Sequence, residues 1–491
     1  MLETVSCPFR TRRWLRATRT VVAVLLAVAA VGEEVRVATF SCDVTPPLGH
    51  PLCGGWIRPL EAVDDPLLAK GVVIEDGAAR YVLCSVDWCL LQTGAYEAFR
   101  DQLAAGANVS PDHVAVHTVH QHNAPIADSN AELLLHRTAL PPDHLNLGFL
   151  AEATRRLAGT VRDACGRFEV FDQVGFGQAK VERFASNRRL RRPDGSIQVR
   201  YSSTKDPELH AAPEGLIDPW LRTITLFQGG VPLVELHYYA THPMSYYGDG
   251  RATADTVGLA RERREREQQV PQVYFTGCGG NITAGKYNDG SPEARVELTD
   301  RIYDAMNRSA AATERFPAER LTWRTARAQF HLRTEPEWSQ ENARRLIADP
   351  EAKPQQRLGA ALDLAWIERF HREPTIDLHC LEIGPVTSLY LPGEAFIEYQ
   401  LFAHGLVPSR RLAVAAYGES GPGYICTDIA LGEGGYEPTN SRVGPPSELD
   451  LKRAIAELLR GGDELQQVGG GLRFEIDEES LGHDRLALTP H

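Results

Sequence analysis

The chain has 491 residues, 43% hydrophobic and 24% charged, the ordinary balance of a soluble globular protein and enough for one large catalytic domain or two to three smaller ones. A formal net charge of −13 argues against nucleic acid or another polyanion as partner.

Residues 1–32 read as an export signal. Arg10, Arg12, Arg13, Arg16 and Arg19 precede an apolar run over residues 21–30, and Glu33-Glu34 follow it. The run is too short to cross a bilayer, which takes about 20 apolar residues as a helix. Thr11-Arg12-Arg13-Trp14-Leu15 loosely resembles a twin-arginine signal; a disordered basic tail is the alternative. The mature chain is therefore expected in the periplasm or outside the cell, with no transmembrane span. Beyond Cys7 the cysteines are scattered without a C-x-x-C, which excludes a zinc ribbon or thioredoxin-like motif and leaves both disulfides and buried free thiols open.

From residue 33 strand-like and helix-like stretches alternate. Residues 81–86 predict a strand, 96–104 a helix, 113–116 a strand and 147–163 a helix. Residues 223–227 and 231–239 flank Gly229-Gly230 and predict a hairpin, so some pairing is antiparallel. The fold class is α/β, a mixed β-sheet core flanked by helices, with the site at the carboxyl ends of strands. One large domain spans 33–465, with a helical insertion at 336–371 broken at Pro350 and Pro354 and a tail over 466–491. Ser447-Glu448-Leu449-Asp450 predicts a helix start of capping-box type, and Gly461-Gly462 its stop.

Metal-capable residues follow three apolar runs: His120 and His122 after 114–116, His242 after 234–239, Glu394 after 389–391. On an extended strand the i, i+2 spacing of His120 and His122 places both imidazoles on one face, and His242 and Glu394 supply the further N and O donors of a zinc site. Surface or packed histidines are the alternative, and His117, His237 and His379, which have no such partner, read as structural. Gly280 to Lys286 spells G-x-x-x-x-G-K, but Tyr287 replaces the Ser or Thr that holds Mg²⁺ and turn residues follow, so no nucleotide is expected. Gly418-Glu419-Ser420-Gly421-Pro422 fails the G-x-S-x-G pattern of a serine hydrolase at its last residue.

Several of these stretches resemble, in order, motifs of the neutral (non-lysosomal) ceramidase family. Asp43-Val44-Thr45-Pro46-Pro47-Leu48-Gly49 is similar to its D-[IV]-T-P-P-x-G, His120-Gln121-His122-Asn123-Ala124-Pro125 to its H-T-H-S-G-P, and Asn187-Arg188 to its N-R. Ala240-Thr241-His242-Pro243 resembles its V-H-P, Thr253-Ala254-Asp255-Thr256-Val257-Gly258 its S-A-D-F-P-G, and Leu391-Pro392-Gly393-Glu394 its L-P-G-E. Gly280-Asn281-Ile282-Thr283 resembles its G-[ND]-[LV]-S loop, with Thr283 where the family has its active-site serine, and Tyr424 and Tyr436 resemble its G-Y and Y-E-G tyrosines. The resemblance covers residues 42 to about 440, the catalytic domain only; the chain ends before the immunoglobulin-like domain of typical members.

That resemblance implies one Zn²⁺ held by His120, His242, Glu394 and Tyr424, with His122 as general acid and base, Arg188 orienting it and Tyr436 donating to the oxyanion. Thr283 would assist the attack, the glycines around it would let backbone approach the reacting group, and Asp87 would stand behind the site or serve as an ordinary strand end. The implied function is zinc-dependent hydrolysis of an N-acyl amide in an exported compartment, on a small-molecule or lipid-like substrate of sphingolipid type. The same site acting on another amide or ester, or a non-catalytic metal-retaining binding protein, is the alternative. A long apolar tunnel above the metal would favour a lipid, a shallow polar cleft a small soluble substrate.

Overall fold

Apart from Met1, the computed structural model describes residues 34–138 and 142–460. The predicted export signal, the Gly461-Gly462 stop and the C-terminal tail lie outside the described residues. The described residues from 34 on form one compact unit.

Its centre is two β-sheets packed face to face. The larger has nine strands in the order Leu321–Gln329, Thr375–Ile383, Val386–Pro392, Arg411–Gly418, Val114–Thr118, Arg80–Val86, Leu68–Glu75, Arg36–Asp43, Glu169–Val170. The smaller has five, in the order Gln272–Thr276, Val231–Tyr239, Trp220–Gln228, Gln173–Lys180, Glu314–Pro317. Both mix parallel and antiparallel pairs, as expected, but the single sheet expected from the sequence is two. Period-2 patterning tells which side chains point inward and not which strands share a ladder.

The side-chain alternation explains the layers. In Arg80–Val86, Val82, Cys84 and Val86 pack with Phe99 and Leu103 of the helix Thr93–Ala107 and Leu157 of the helix Leu147–Ala164. Tyr81 and Leu83 point the other way, into a cluster with Phe176, Ile224 and Leu236 of the five-stranded sheet. Beyond that sheet, Val257 of Asp255–Gln268 and Ile302 of Pro292–Ala311 cover Tyr239 and Tyr274. Strands covered on both faces read as unbroken apolar runs, which is why residues 81–86 and 231–239 are conspicuous. The predicted hairpin is present as Trp220–Gln228 against Val231–Tyr239.

The predicted insertion is the helix pair Gln340–Ala348 and Pro354–Arg372, whose Ile347, Leu358 and Ala361 pack on Leu135. The helix Ser447–Arg460 starts where expected, for a different reason: the Ser447 hydroxyl accepts from His331 N–H and donates to Gly444 O instead of capping its own helix. All eight described cysteines are free thiols. Among the described residues no helix is long and apolar enough to cross a membrane.

What positions the site is the join within the large sheet. Arg80–Val86 runs parallel to Val114–Thr118, and Val386–Pro392 parallel to Arg411–Gly418. The two pairs meet through one antiparallel bridge, His117 to Gly418, near the carboxyl ends of both strands. Loops leaving these ends, and those leaving Val231–Tyr239 and Gln272–Thr276, therefore share one region.

Candidate metal centre

His120 and His122 do not sit on a strand. The strand ends at Thr118, and the next residues are carried by backbone bonds to the neighbouring loop, Val119 N–H to Val86 O at 2.8 Å and His120 N–H to Trp88 O at 3.0 Å. His120 itself adopts φ 70°, left-handed and uncommon for a residue with a Cβ. The two imidazoles therefore converge, centroids 4.8 Å apart, through a turn and not through the strand pleat. Strained backbone of this kind persists where surrounding contacts over-determine it. Here Tyr417 stacks on the His120 ring at 4.3 Å, and the Gln121 side chain, between the two histidines, donates to Asp87 O at 2.6 Å.

Three donor atoms point at one another. Glu394 Oε2 lies 3.1 Å from His120 Nε2 and 3.4 Å from His242 Nε2. All three residues are buried, and none of these atoms has a hydrogen-bond partner. The far nitrogen of each ring explains why. His120 Nδ1 meets Cys89 O at 2.8 Å, and His242 Nδ1 meets Gly279 O at 2.7 Å and Ile282 O at 3.0 Å. A carbonyl only accepts, so each Nδ1 carries a proton, and in a neutral ring Nε2 then presents a lone pair. Burial, followed by the charge of Arg188, lowers His242 to about 4, so its ring is neutral at pH 7. With His242 neutral, its Nε2 lone pair and the Glu394 carboxylate, 3.4 Å apart, repel unless a cation lies between them. Ligands about 2.0–2.1 Å from a tetrahedral zinc stand roughly 3.3 Å from each other, so the residues fit such an ion. His120, His242 and Glu394 are a group able to hold a metal.

The loop that carries Thr283 serves this arrangement. His242 N–H bonds Ile282 O at 2.9 Å, and Gly280 N–H bonds Ala395 O at 2.9 Å. A Cβ on Gly280 would come within 2.3 Å of Glu394 O, so glycine is needed for close approach to the ligand's own backbone rather than to a reacting group. Thr283 is buried, its hydroxyl between Arg200 O and Gly285 N–H, both at 3.3 Å, and it does not line the cleft described below. The Lys286 ammonium is held by His210 O and Ala212 O, and the Tyr287 hydroxyl by Glu214.

Glu394 and Tyr424 are register partners in a short parallel pair, side by side on one face, with the Tyr424 ring 6.4 Å from that of His242. Burial pushes the Tyr424 phenol well up, against the pull of the nearby Arg188 charge. Arg188 does not orient His122. Its guanidinium donates to Glu437 at 2.7 Å and Gly280 O at 2.7 Å, and lies 5.0 Å from the centre of the Tyr424 ring and 5.1 Å from that of Tyr436. Asp87 is spent differently from either reading, in a fully buried two-bond pair with Arg261, 2.8 Å on each arm.

The centre opens into a cleft of about 570 Å³ lined by His122, Arg188, His242, Tyr424 and Tyr436 among others. His122 Nδ1 is buried without a partner. Burial, then the imidazoles of His120 and His242, push His122 well below the usual range, so it is a neutral base at pH 7. Burial raises the Tyr436 phenol, which stays protonated and able to donate.

His117, His237 and His379 are structural: ring nitrogens bond Ala416 O, Gln272 and Thr325. The Ser420 hydroxyl is buried with no hydrogen-bonded base. Three contributors stand outside the sequence reading. Cys89 forms a second donor group with His120 and His122, although burial pushes its thiol well up. Tyr417 props His120, and Glu437 neutralises Arg188 and Arg189. Of these, Glu437 was within reach, since it directly follows Tyr436.

No protein-family model and no curated protein matches the chain. Among solved structures it is similar to a neutral ceramidase from Pseudomonas aeruginosa, with TM-score 0.64 and 15% identity over 87% of this chain and 75% of that one. It is also similar to a ceramidase complexed with C2, with TM-score 0.62 and 14% identity over 88% of this chain and 76% of that one. The chain thus has the fold of these ceramidase structures.

Proposed function

We propose that the chain is a ceramidase-like, zinc-dependent amidohydrolase that cleaves an N-acyl amide after export directed by residues 1–32. The observation that carries this reading is the convergence of His120 Nε2, His242 Nε2 and Glu394 Oε2, none with a hydrogen-bond partner, beside a neutral His122 whose buried Nδ1 is likewise unpartnered, in an open cleft. The shared fold adds support. Tyr424, beside Glu394, is the proposed fourth donor. When bound, zinc supplies Lewis acidity that brings the pKa of water from 15.7 to about 7. His122 takes a proton as the attack on the acyl carbonyl proceeds and returns it to the departing amine nitrogen. Tyr436, held edge-on to Tyr424 with centroids 5.9 Å apart, donates to the carbonyl oxygen as it gains charge. Arg188 acts through the two tyrosines, fixing their rings and favouring ionisation of Tyr424.

Removal of metal by a chelator should lower hydrolysis of an N-acyl amide panel by about a hundredfold or more, and one equivalent of zinc should restore it. A chelated protein with full activity would remove the metal from the reaction. Persistent inactivity of the zinc-loaded protein on amides, with turnover of esters, would move the reading to an esterase; inertness on both would favour a metal-retaining binding protein.

Tyr436→Phe is expected to keep its metal and lower kcat by roughly 10²–10³ with KM little changed, the usual loss when one oxyanion donor goes. An unchanged kcat would end that role. For Thr283 we propose loop support rather than chemistry. Thr283→Val should leave kcat/KM within about threefold and lower stability by about 1–3 kcal/mol, because Gly285 N–H and Arg200 O lose a partner. A tenfold loss of kcat in a variant of unchanged melting temperature would return Thr283 to the reaction.

A further inference from the structure

The walls of the cleft carry information beyond the metal. Among the described residues lining it, Met244 is the single aliphatic side chain, and Leu, Ile, Val and Phe are absent. Five tyrosines line it instead, with serines and the carboxylate of Asp249 between them. The tyrosines are placed, not loose. Tyr436 meets Tyr201 edge-on at 5.7 Å, Tyr247 meets the His122 ring edge-on at 6.0 Å, and Tyr246 lies 4.7 Å from the Arg295 guanidinium. Tyr201 and Tyr247 are 53% and 50% exposed, so a collar of phenols faces anything that enters.

A long alkyl chain gains affinity by leaving water for apolar surface, and each methylene left in water adds nothing. This wall offers it one methionine and the ring faces. A chain lying across the collar would also strip water from the phenol, serine and Asp249 oxygens and return no hydrogen bond, which is unfavourable. A hydroxylated molecule suffers neither loss, because its C–H faces stack on the rings while its hydroxyls bond the tyrosine, serine and carboxylate oxygens. A cleft of about 570 Å³ falls in the range of small-molecule sites, about 300–1,000 Å³.

Resting on the amidohydrolase reading, we infer that the substrate is a compact N-acyl compound with a short acyl group and a hydroxylated amine half, selected against long-chain lipids by Tyr201 and Tyr247. The test is a grid of six substrates, N-acetyl, N-hexanoyl and N-palmitoyl derivatives of glucosamine and of sphingosine, assayed with zinc-loaded full-length protein. The acetyl derivative should exceed the palmitoyl one in kcat/KM by at least about tenfold on either amine, and glucosamine derivatives should exceed their sphingosine counterparts. Tyr201→Leu and Tyr247→Leu should each shift the acetyl-to-palmitoyl ratio toward palmitoyl by roughly fivefold to tenfold. Equal rates across the grid, a preference for palmitoyl or sphingosine, or leucine variants with an unchanged ratio would each overturn the inference. Absence of hydrolysis on all six, where other amides in the broader panel turn over, also overturns it and leaves the amidohydrolase reading standing; absence on every amide brings down that reading, and this inference with it.

Discussion

Glu394→Gln is expected to empty the metal centre and remove nearly all hydrolysis while the chain stays folded. Wild type should carry about one zinc per chain, the variant less than about a tenth of that, and kcat/KM should fall by more than the 10–100-fold that loss of a ligand's supporting partner usually costs. The carboxamide has nearly the volume of the carboxylate, so packing around residue 394 is kept. Its NH₂ also has somewhere to go: the lone pairs on His120 Nε2 and His242 Nε2, at 3.1 and 3.4 Å, are acceptors without a donor. The metal-free variant should therefore melt no lower than metal-free wild type, which has to hold a carboxylate against the lone pair of neutral His242. His242→Ala should lose metal as well but also lose stability, because a buried ring is deleted, although Gly279 O and Ile282 O keep their backbone donors, Ile282 N–H and residue 242 N–H, both at 2.9 Å. Metal analysis and thermal melts of the chelated proteins read both effects. Undiminished zinc in both variants would dismantle the centre, and loss of zinc in Cys89→Ser alone would relocate it to the Cys89, His120 and His122 group.

The parts of this centre that could be read from sequence are those set by local pattern. Residues 114–118, 231–239 and 386–392 are apolar enough to be strands covered on both faces, and polar residues directly after them had to lie at strand ends. The α/β class and the helices Thr93–Ala107 and Leu147–Ala164 follow from the same local patterns. What was hidden depends on which distant groups meet. Arg188 is 249 residues from Glu437, and nothing near residue 188 tells that its charge is met there and its face turned to Tyr424 and Tyr436. The left-handed turn at His120 is imposed by the Val86 and Trp88 carbonyls from a neighbouring strand end. Thr283 lies in a motif whose Gly280 is demanded by packing on Glu394, so the order of residues was readable and the direction of the hydroxyl was not. The division into two sheets was equally invisible, since strands in either sheet carry the same alternation.

His122→Ala should show the opposite pattern to the ligand variants: zinc retained at about one per chain, with hydrolysis lowered by about 10²–10⁴, the usual contribution of a positioned general base. The ring stands beside the three donors, 4.8 Å from His120 and 5.7 Å from His242 between centroids, and its buried Nδ1 makes no hydrogen bond that its loss would orphan. Removal therefore leaves the ligand geometry intact, while the proton no longer has a place to go. The pH profile gives an independent reading. Burial and the neighbouring imidazoles depress His122, so the neutral, proton-accepting form persists below the ordinary imidazole value of about 6.5. A base loses activity as pH falls through its pKa, so the acid limb of wild-type kcat/KM should lie below pH 6.5 and should be absent from the alanine variant. Added imidazole should restore part of the variant's turnover, which a purely structural side chain would not allow. If zinc and activity fall together, His122 is a ligand and the base must be sought elsewhere; if zinc stays and the rate is unchanged, the cleft works without it.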